Sequence, residues 1–534
     1  MKNKKSYYVS ALLSLLLFSA CNDYLDVIPD QRTEIDTEEK VALLLTGSYP
    51  AATYAGTVFS RVDNISDKGS GSADSYVTNR DGFFWRPTVQ SEGTDSPTDL
   101  WTRAFHSIAG ANGALEAIDN LGVDEIVRTR LNPSKGEALL LRSFDHFMLA
   151  TMFCKFYDVD NPSENEKNMG LPYITEQELE VNKQYNRGTV KQLWDNIQKD
   201  LDEGLPLIGP DDTYTVHKYH FNRNAAYAFA SRFYLYKCEF DKVIQYANEV
   251  IPRPAVIHDA NVPSTDAAVI FVKNNFQPYT TTYIAGSHDD VSSAFTQTSN
   301  PSVLLVADTY AWLIYWLPAY YFRYGLSIPD ITNTIRSSNN PLGVDFGYRY
   351  INYSATSLCF PDKFNSLSSS NRIPFTFFRL EELLLNRAEA YARTDRFDEA
   401  IADLNLFFRT RARSYDEKKH VLTLQNITDY YRPSAQNADF YMNKYNAFGS
   451  KSWSDEKKSL IHLILVCRQN EFLGEGLRYW DMVRYKMECT HTRSDGQSNT
   501  LYPGDDRWVF QLPTTAPLSG LEMNPVTNLL SPEW

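Results

Sequence analysis

The stretch FRLEELLLNRAEAYART (residues 378–394) is followed almost directly by FDEAIADLNLFFRTRA (residues 397–412). In both segments apolar residues recur every three or four positions, which is the spacing of one face of an α-helix. Only Asp395 and Arg396 lie between them, and two helices joined by so short a polar turn must fold back on each other. This part of the chain therefore predicts a helix–turn–helix pair.

The same arrangement occurs earlier, in NRNAAYAFASRFYLYK (222–237) and FDKVIQYANEVI (240–251), with Cys238 and Glu239 at the turn. In both pairs the second helix begins with an aromatic residue followed by an aspartate. Repeated helix pairs of this kind resemble degenerate tetratricopeptide units, which stack on their neighbours and bury a shared core. The predicted fold class is therefore mainly α, with a tetratricopeptide-like scaffold of helix pairs.

Four further segments have a helical pattern. Residues 134–156 open with Ser134 three positions before Glu137, which is the spacing of a capping box at a helix start. Residues 188–205 form an amphipathic helix that begins at Thr189. The remaining two predicted helices are residues 456–473 and 475–488.

Two long regions, residues 56–97 and 252–375, show no such periodicity and are rich in Ser, Thr, Asn, Gly and Pro. They are far longer than ordinary connections, and their aromatic residues favour folded insertions over disordered segments. We therefore predict large irregular loop insertions in the scaffold. The predicted organisation is a signal peptide (1–20) and a single domain (21–534), which comprises an N-terminal helical part (21–250), a loop-rich insertion (251–375) and a C-terminal helical part (376–534).

The N-terminus predicts export from the cytoplasm. Three lysines precede the apolar segment 7–18, and the small residues Ser19 and Ala20 lead directly to Cys21. This is the pattern of a secretory signal, which is too short to be a spanning helix. A cysteine at this position resembles the bacterial lipobox, in which the new N-terminal cysteine receives acyl chains. An ordinary secretory signal is the alternative, and we expect lipidation of Cys21.

Composition and motifs exclude several classes of function. The chain has 534 residues and a formal net charge of −14, which argues against binding to nucleic acid. The sequence contains no HExxH, GxSxG, P-loop or GxGxxG motif. We therefore predict no catalytic residue, no metal and no cofactor, and we expect His217 and His220 to be exposed polar residues. The widely spaced cysteines predict no essential disulfide.

Aromatic residues are the better candidates for a functional site, because they can contact a ligand. The chain has 34 Tyr, 30 Phe and 9 Trp, and aromatic faces can pack against sugar rings as well as fill cores. In the first long region, GFFWRP places Phe84, Trp85 and Arg86 side by side. Arg86 would offer hydrogen-bond donors next to the stacking plane of Trp85. We predict that these three residues contact a ligand, with burial in the core as the alternative.

A second aromatic cluster is TYAWLIYWLPAYYFRYG, residues 309–325. Trp312 and Trp316 are four positions apart and share one face if the segment is helical. Together with Tyr320 they form the second group of predicted ligand contacts, with a buried core helix as the alternative. Pro318 and the short apolar run argue against a membrane span.

Several different motifs follow one another along the chain in an order that is typical of one family. The most specific is CRQNEFLGEGLRYWDMVRYK at 467–486, and RLEELLLNRAEAYA at 379–392 is the second. The others are CNDYLDVIP (21–29), LWTRAFHSIAGANGALEAID (100–119), Gly136 to Arg142, Gly170-Leu171-Pro172 and FQLPTTAPLSGLEMNP (510–525). With these motifs the chain resembles the SusD/RagB family, the surface lipoproteins of nutrient-uptake systems in Bacteroidetes-type bacteria.

The resemblance implies a SusD-like helical domain that binds a ligand without chemistry. It also implies a lipid-anchored protein on the outside of the outer membrane, which delivers a nutrient to a SusC-like TonB-dependent transporter. An oligosaccharide is the favoured ligand, because aromatic platforms and polar side chains suit sugar rings and hydroxyls. The alternatives are a peptide or glycopeptide ligand, a surface polysaccharide hydrolase, and a structural subunit that contacts only the transporter.

The charged residues of these motifs are expected to be structural. They alternate with apolar residues on the predicted helices, so Arg–carboxylate pairs between packed helices explain them without catalysis. They are Arg142, Glu382, Arg387, Glu389, Arg468, Glu471, Glu475, Arg478 and Asp481.

Overall fold

A computed structural model describes the greater part of the chain. The described residues are 34–50, 52–63, 81–87, 96–178, 180, 182–210, 214, 216–254, 263–276, 303–310, 352–353, 357–358, 372–411, 416, 418–431, 452–472, 475–493 and 495–525. The predicted signal peptide, the lipidation site Cys21 and the predicted ligand contacts Trp312, Trp316 and Tyr320 lie outside these residues.

Helices make up most of the regular structure in the described residues. In chain order they are α1 (Glu38–Ser48), α2 (Ala55–Phe59), α3 (Pro97–Leu121), α4 (Glu125–Phe153), α5 (Val190–Gly204), α6 (Arg223–Tyr236), α7 (Phe240–Val250), α8 (Ala267–Asn275), α9 (Leu380–Arg393), α10 (Phe397–Arg411), α11 (Leu424–Tyr431), α12 (Asp455–Glu471) and α13 (Leu477–Arg484). The strands form antiparallel pairs: β1 (Val303–Tyr310) with β4 (Arg372–Arg379), β2 (Asn352–Tyr353) with β3 (Ser357–Leu358), and β5 (Cys489–Thr492) with β6 (Ser498–Leu501). The predicted mainly α fold class is confirmed.

Both predicted helix pairs are present, and they share the same turn. Cys238 after α6 has a φ angle of 56°, and Asp395 occupies the equivalent position after α9 with a φ angle of 61°. The next amide in each pair donates to a carbonyl five residues earlier, at 2.9 Å for Glu239 and 2.8 Å for Arg396. These are the hydrogen bond and the left-handed residue of a Schellman motif. One left-handed residue reverses the chain, which is why so short a turn is enough.

Helix α9 lies at the centre of the C-terminal part. All of its residues from Leu380 to Ala392 are buried, and it packs against α6, α7, α10 and α12. A helix that is buried on every face must be surrounded by other elements. In the N-terminal part, α3 packs on α4 and α4 packs on α5, so the two parts are each built from neighbouring helices.

The helix predicted at 134–156 begins earlier than expected. Helix α4 starts at Glu125, because Asp124 caps it by accepting from the amides of Ile126 and Val127. The spacing of Ser134 and Glu137 therefore marks no helix start. By contrast, α5 begins after Thr189, as predicted. The hydroxyl of Thr189 accepts from the amide of Gln192 in a true capping box.

The predicted loop-rich insertion at 251–375 is described in part. It contains α8 and the strand β1, which pairs antiparallel with β4. The pairing runs from Val303 opposite Arg379 to Tyr310 opposite Arg372. Since β4 leads directly into α9, this pairing brings part of the insertion back to the start of the central helix.

Buried ion pairs attach α9 to its neighbours. Arg387 on α9 is fully buried and forms a bidentate pair with Asp403 on α10, at 2.7 and 2.8 Å. Its third nitrogen donates to the side chain of Asn248 on α7 and to the carbonyls of Ile251 and Pro252. One side chain therefore fixes both α10 and the end of α7 against α9.

Replacing Arg387 by methionine tests this clamp. The change keeps much of the side-chain volume but leaves Asp403 as a buried charge without its partner. We expect it to lower the free energy of unfolding by about 3–5 kcal/mol, measured by urea denaturation. Arg396→Met, which removes a solvent-exposed pair with Glu399, is the matched control and should cost at most about 1 kcal/mol. Equal losses in the two variants would contradict the clamp.

Candidate functional site

The predicted cluster of Phe84, Trp85 and Arg86 lies mostly in the core. Phe84 and Trp85 are each 2% exposed. The Trp85 ring stacks on the ring of His491 with centroids 4.3 Å apart, and its indole N–H donates to the carbonyl of Arg61 at 3.2 Å. Contrary to the prediction, neither Phe84 nor Trp85 therefore presents a ring face that a ligand can reach. Arg86 is half-buried, with its guanidinium 4.8 Å from the ring centroid of Phe84, and its role stays a prediction.

The residue that covers Trp85 comes from the far end of the chain. His491 lies on β5, and its two ring nitrogens are 2.7 and 3.0 Å from the carbonyl oxygens of Phe83 and Val62. Burial lowers the pKa of His491, although these hydrogen bonds oppose the shift. The GFFWRP segment therefore joins the N-terminal part to the C-terminal hairpin, which is a structural role.

The charged motif residues form buried ion pairs, as predicted. Between α9, α12 and α13, Glu389 accepts from Arg484 at 2.7 and 3.1 Å, and Asp481 accepts from both Arg484 and Arg468. Burial favours a higher pKa for Glu389, but the charge and hydrogen bonds of Arg484 outweigh it and lower that pKa to about 2. A carboxyl group this acidic cannot donate a proton near neutral pH. These pairs therefore hold helices together.

His220 is buried, so the prediction that it is an exposed polar residue is wrong. Its Nδ1 lies 2.8 Å from a carboxylate oxygen of Glu137, and the ring of Tyr214 stacks on its own ring. The hydroxyls of Tyr49 and Tyr214 also donate to Glu137. A buried carboxylate needs such partners, and the partners come from separate segments that the sequence pattern could not bring together. His217 is half-buried.

An open pocket of about 400 Å³ lies where four helices end. Helices α4, α6, α9 and α13 end at Phe153, Tyr236, Arg393 and Arg484, and residues at or just after each of these ends line the pocket. The segment 503–509, which follows β6, closes another side. We call this site the helix-end pocket.

The helix-end pocket combines apolar walls with charged side chains of both signs. Its aromatic residues are Phe156, Tyr157, Tyr236 and Trp508, and its aliphatic side chains include Val159, Met482, Val483, Met487 and Val509. Its charged residues are the cations Lys155, Arg393, Arg484 and Lys486 and the anions Asp158, Asp160, Glu164 and Asp505. Apolar walls with a few polar groups are typical of sites for small molecules.

The charges of the helix-end pocket are locally balanced. The C-terminal end of a helix carries a partial negative charge, which explains why cations collect where four helices end. Two of these cations also pair with carboxylates: Lys486 lies 3.2 Å from Asp160, and Lys155 lies 3.0 Å from Asp506. The pocket therefore presents both donors and acceptors without a large net charge.

Sequence reasoning missed the helix-end pocket. The available signal was KFYDVDNP (155–162), which combines aromatic and acidic residues directly after a predicted helix. The other walls come from segments that are distant along the chain, so no spacing rule unites them. The loop itself is ordered by Asn165, whose side chain bonds both the amide and the carbonyl of Asp158 at 2.8 and 2.9 Å.

The described residues contain neither a membrane-spanning helix nor a metal cluster. Within them, no helix is both long and apolar enough to cross a bilayer. In the same part of the chain, no three His, Cys, Asp or Glu side chains are grouped in a way that could hold a metal ion. Four cysteines of this part, Cys154, Cys238, Cys467 and Cys489, are free thiols.

Because Trp85 is buried, its replacement should affect stability. We expect Trp85→Ala to lower the free energy of unfolding by about 3–5 kcal/mol, since it removes a large core side chain. Trp85→Phe keeps a ring against His491 but loses the bond to the Arg61 carbonyl and part of the ring volume, so its loss should be smaller, about 1–2 kcal/mol. Urea denaturation measures both. An alanine variant that is as stable as the parent chain would contradict the core position.

Two family models match this sequence. Residues 23–235 match the model described as "Starch-binding associating with outer membrane", and residues 332–514 match the model of the SusD family. Together the two matches cover well over half of the chain. No curated protein matches the sequence.

Solved structures of the SusD superfamily share this fold. A SusD superfamily protein from Bacteroides thetaiotaomicron has 18% sequence identity and a TM-score of 0.62, and the alignment covers 91% of this chain and 99% of that one. A SusD-like carbohydrate binding protein from Bacteroides vulgatus has 16% identity and a TM-score of 0.60, with 90% and 96% covered. A SusD superfamily protein from Bacteroides fragilis has 16% identity and a TM-score of 0.61, with 90% and 97% covered. At these identities the likeness shows a common fold, and with the two family models it establishes that the chain belongs to the SusD/RagB family.

Proposed function

We propose that this protein is an outer-membrane lipoprotein that binds an oligosaccharide at the cell surface and delivers it to a SusC-like TonB-dependent transporter. The observation that carries the proposal is the match of residues 23–235 to a family model described as starch-binding and associating with the outer membrane. The carbohydrate binding protein among the similar structures is consistent with the same class of ligand.

The sequence supports a lipid anchor at Cys21. A single acyl chain binds a membrane only reversibly, because each buried methylene contributes about 0.8 kcal/mol, and stable anchoring needs more than one chain. An acylated N-terminal cysteine with several chains would meet this need. The residues directly after Cys21, NDYLD, are mostly polar. That stretch would act as a tether to the outer surface.

The described geometry supports binding without catalysis. The carboxylates of the family motifs are held in buried ion pairs, and each of the four carboxylates of the helix-end pocket is paired with a lysine or an arginine. A glycosidase needs one carboxyl group as an acid and a second as a base or nucleophile. The helix-end pocket, in contrast, has the mixture of apolar and polar walls that suits recognition. The experiments below distinguish oligosaccharide binding from a peptide ligand, hydrolysis and a transporter-only role.

A glycan screen of the chain from Asn22 onward tests the ligand class. We expect binding to one class of neutral polysaccharide and no release of reducing ends. We also expect Trp316→Ala to weaken that binding at least about tenfold, because loss of a stacking ring should remove about 1.4 kcal/mol or more, whereas Trp316→Phe should retain most of it. Failure to bind any glycan would contradict the proposal and favour a peptide ligand or a transporter-only role. Release of reducing ends would favour a hydrolase.

Replacement of Cys21 by serine tests the anchor. Without the thiol no acyl chain can be attached, so the variant should move from the outer-membrane fraction to the soluble fraction of the cells. Cys154→Ser, at a buried free thiol far from the signal, is the matched control and should stay in the membrane fraction. A serine variant at position 21 that remains in the membrane fraction would contradict lipid anchoring at this residue.

A further inference from the structure

We propose that the helix-end pocket is a binding site for a neutral mono- or disaccharide, with Tyr157 as a stacking surface and Asn168 as a hydrogen-bonding group. The inference rests on the proposed function in one respect, namely that the ligand is a saccharide. It adds a location, a size and a charge class, which neither the family models nor the similar structures assign.

The size of the pocket limits the ligand. Its volume of about 400 Å³ lies near the lower end of the range for small-molecule sites, which is roughly 300–1,000 Å³. This space suits one or two sugar rings and excludes a long oligosaccharide from full enclosure. Only the end of a longer oligosaccharide could enter the pocket.

The aromatic wall is held in place from behind. Tyr157 is half-buried, and its ring packs on that of Trp194 with centroids 5.1 Å apart. Phe156 packs on the same indole at 5.9 Å. On the opposite segment, Trp508 is buried, and its indole N–H donates to the carbonyl of Tyr502 at 2.9 Å. A ring that is fixed before the ligand arrives loses little conformational entropy on binding, and the half-buried ring of Tyr157 can cover the C–H face of a sugar.

Two polar side chains in the same pocket can form hydrogen bonds with a ligand. The side-chain amide of Asn168 and the hydroxyl of Tyr157 have no hydrogen-bond partner among the residues that the structure describes. An amide offers two donors and an acceptor, and a phenol offers one of each. Sugar hydroxyls also both donate and accept, so the two side chains match them in either direction.

The charges of the pocket favour a neutral ligand. The four cations of the lining are matched by four carboxylates, Asp158, Asp160, Glu164 and Asp505. Of the two guanidinium groups, that of Arg484 already binds Glu389 and Asp481 behind the wall, and that of Arg393 lies against the rings of Phe240, Trp453 and Tyr485. An anionic sugar would thus meet four carboxylates and two guanidinium groups that are already engaged, and desolvating its charge would be costly. An uncharged sugar carries no such penalty.

Isothermal titration of the chain from Asn22 onward with neutral disaccharides (maltose, cellobiose, xylobiose and lactose) tests the inference, with digalacturonic acid as the anionic counterpart. We expect at least one neutral disaccharide to bind, and digalacturonic acid to bind at least about tenfold more weakly. Asn168→Ala and Tyr157→Ala should each weaken binding of the neutral sugar about tenfold, which corresponds to about 1.4 kcal/mol.

A variant that fills the pocket gives an independent test. Val483 is half-buried on α13 and lines the pocket, so Val483→Trp should occupy the space and abolish binding. Val421 is 44% exposed outside the pocket, and Val421→Trp is the matched control that should bind as the parent chain does. Circular dichroism establishes that each variant is folded. Asn168 is half-buried, so Asn168→Ala is the milder change, and it keeps the test decisive if Val483→Trp does not fold.

The outcomes separate this inference from the proposed function. If a neutral disaccharide binds but Val483→Trp and Asn168→Ala leave its affinity unchanged, the pocket is not the site, while glycan binding stands. The same conclusion follows if polysaccharide binds in the glycan screen and no disaccharide binds here. Preference for digalacturonic acid would overturn the neutral charge class. If nothing binds in either experiment, the proposed function and the inference both fail.

Discussion

Helix α9 buries charged and polar side chains at the centre of the protein, and the positions of its neighbours follow from that constraint. Glu382, Asn386, Arg387 and Glu389 are each no more than 3% exposed. Glu382 pairs with Arg232 of α6, Asn386 with Arg468 of α12, Arg387 with Asp403 of α10, and Glu389 with Arg484 of α13. A buried charge without its partner is strongly destabilising. Each surrounding helix is therefore held at the one position that places its partner against α9.

This constraint also builds the helix-end pocket. Arg484 is the last residue of α13, and its bond to Glu389 fixes where that helix stops relative to α9. Arg393, the last residue of α9, is held by the rings of Phe240, Trp453 and Tyr485. The helix ends thus meet at fixed places, and the space between them is a consequence of the ion pairs behind it. A pocket wall made in this way is rigid before a ligand arrives.

The sequence predicts those parts of the structure that depend on residues close to one another along the chain. The two helix pairs followed from periodicity and short turns, because a helix and its Schellman ending depend on residues close along the chain. The spacing of Ser134 and Glu137 predicts a helix start at the wrong place, because the same spacing also occurs by chance inside a helix. Helix α4 begins earlier, where Asp124 caps it. The prediction that Trp85 contacts a ligand is wrong because His491, which covers its ring, lies near the other end of the chain, where no local pattern relates the two residues. The helix-end pocket could not be predicted at all, since its walls meet only after the ion pairs of α9 have formed.

The decisive question is whether the helix ends around α9 form a preformed site for a neutral sugar. A crystal structure of the chain from Asn22 onward, grown with the neutral disaccharide of highest affinity, answers it. We expect a sugar ring against Tyr157, hydrogen bonds from its hydroxyls to Asn168, and pocket walls that do not move. A sugar bound elsewhere, with the helix-end pocket filled only by water, would contradict a binding site at the helix ends.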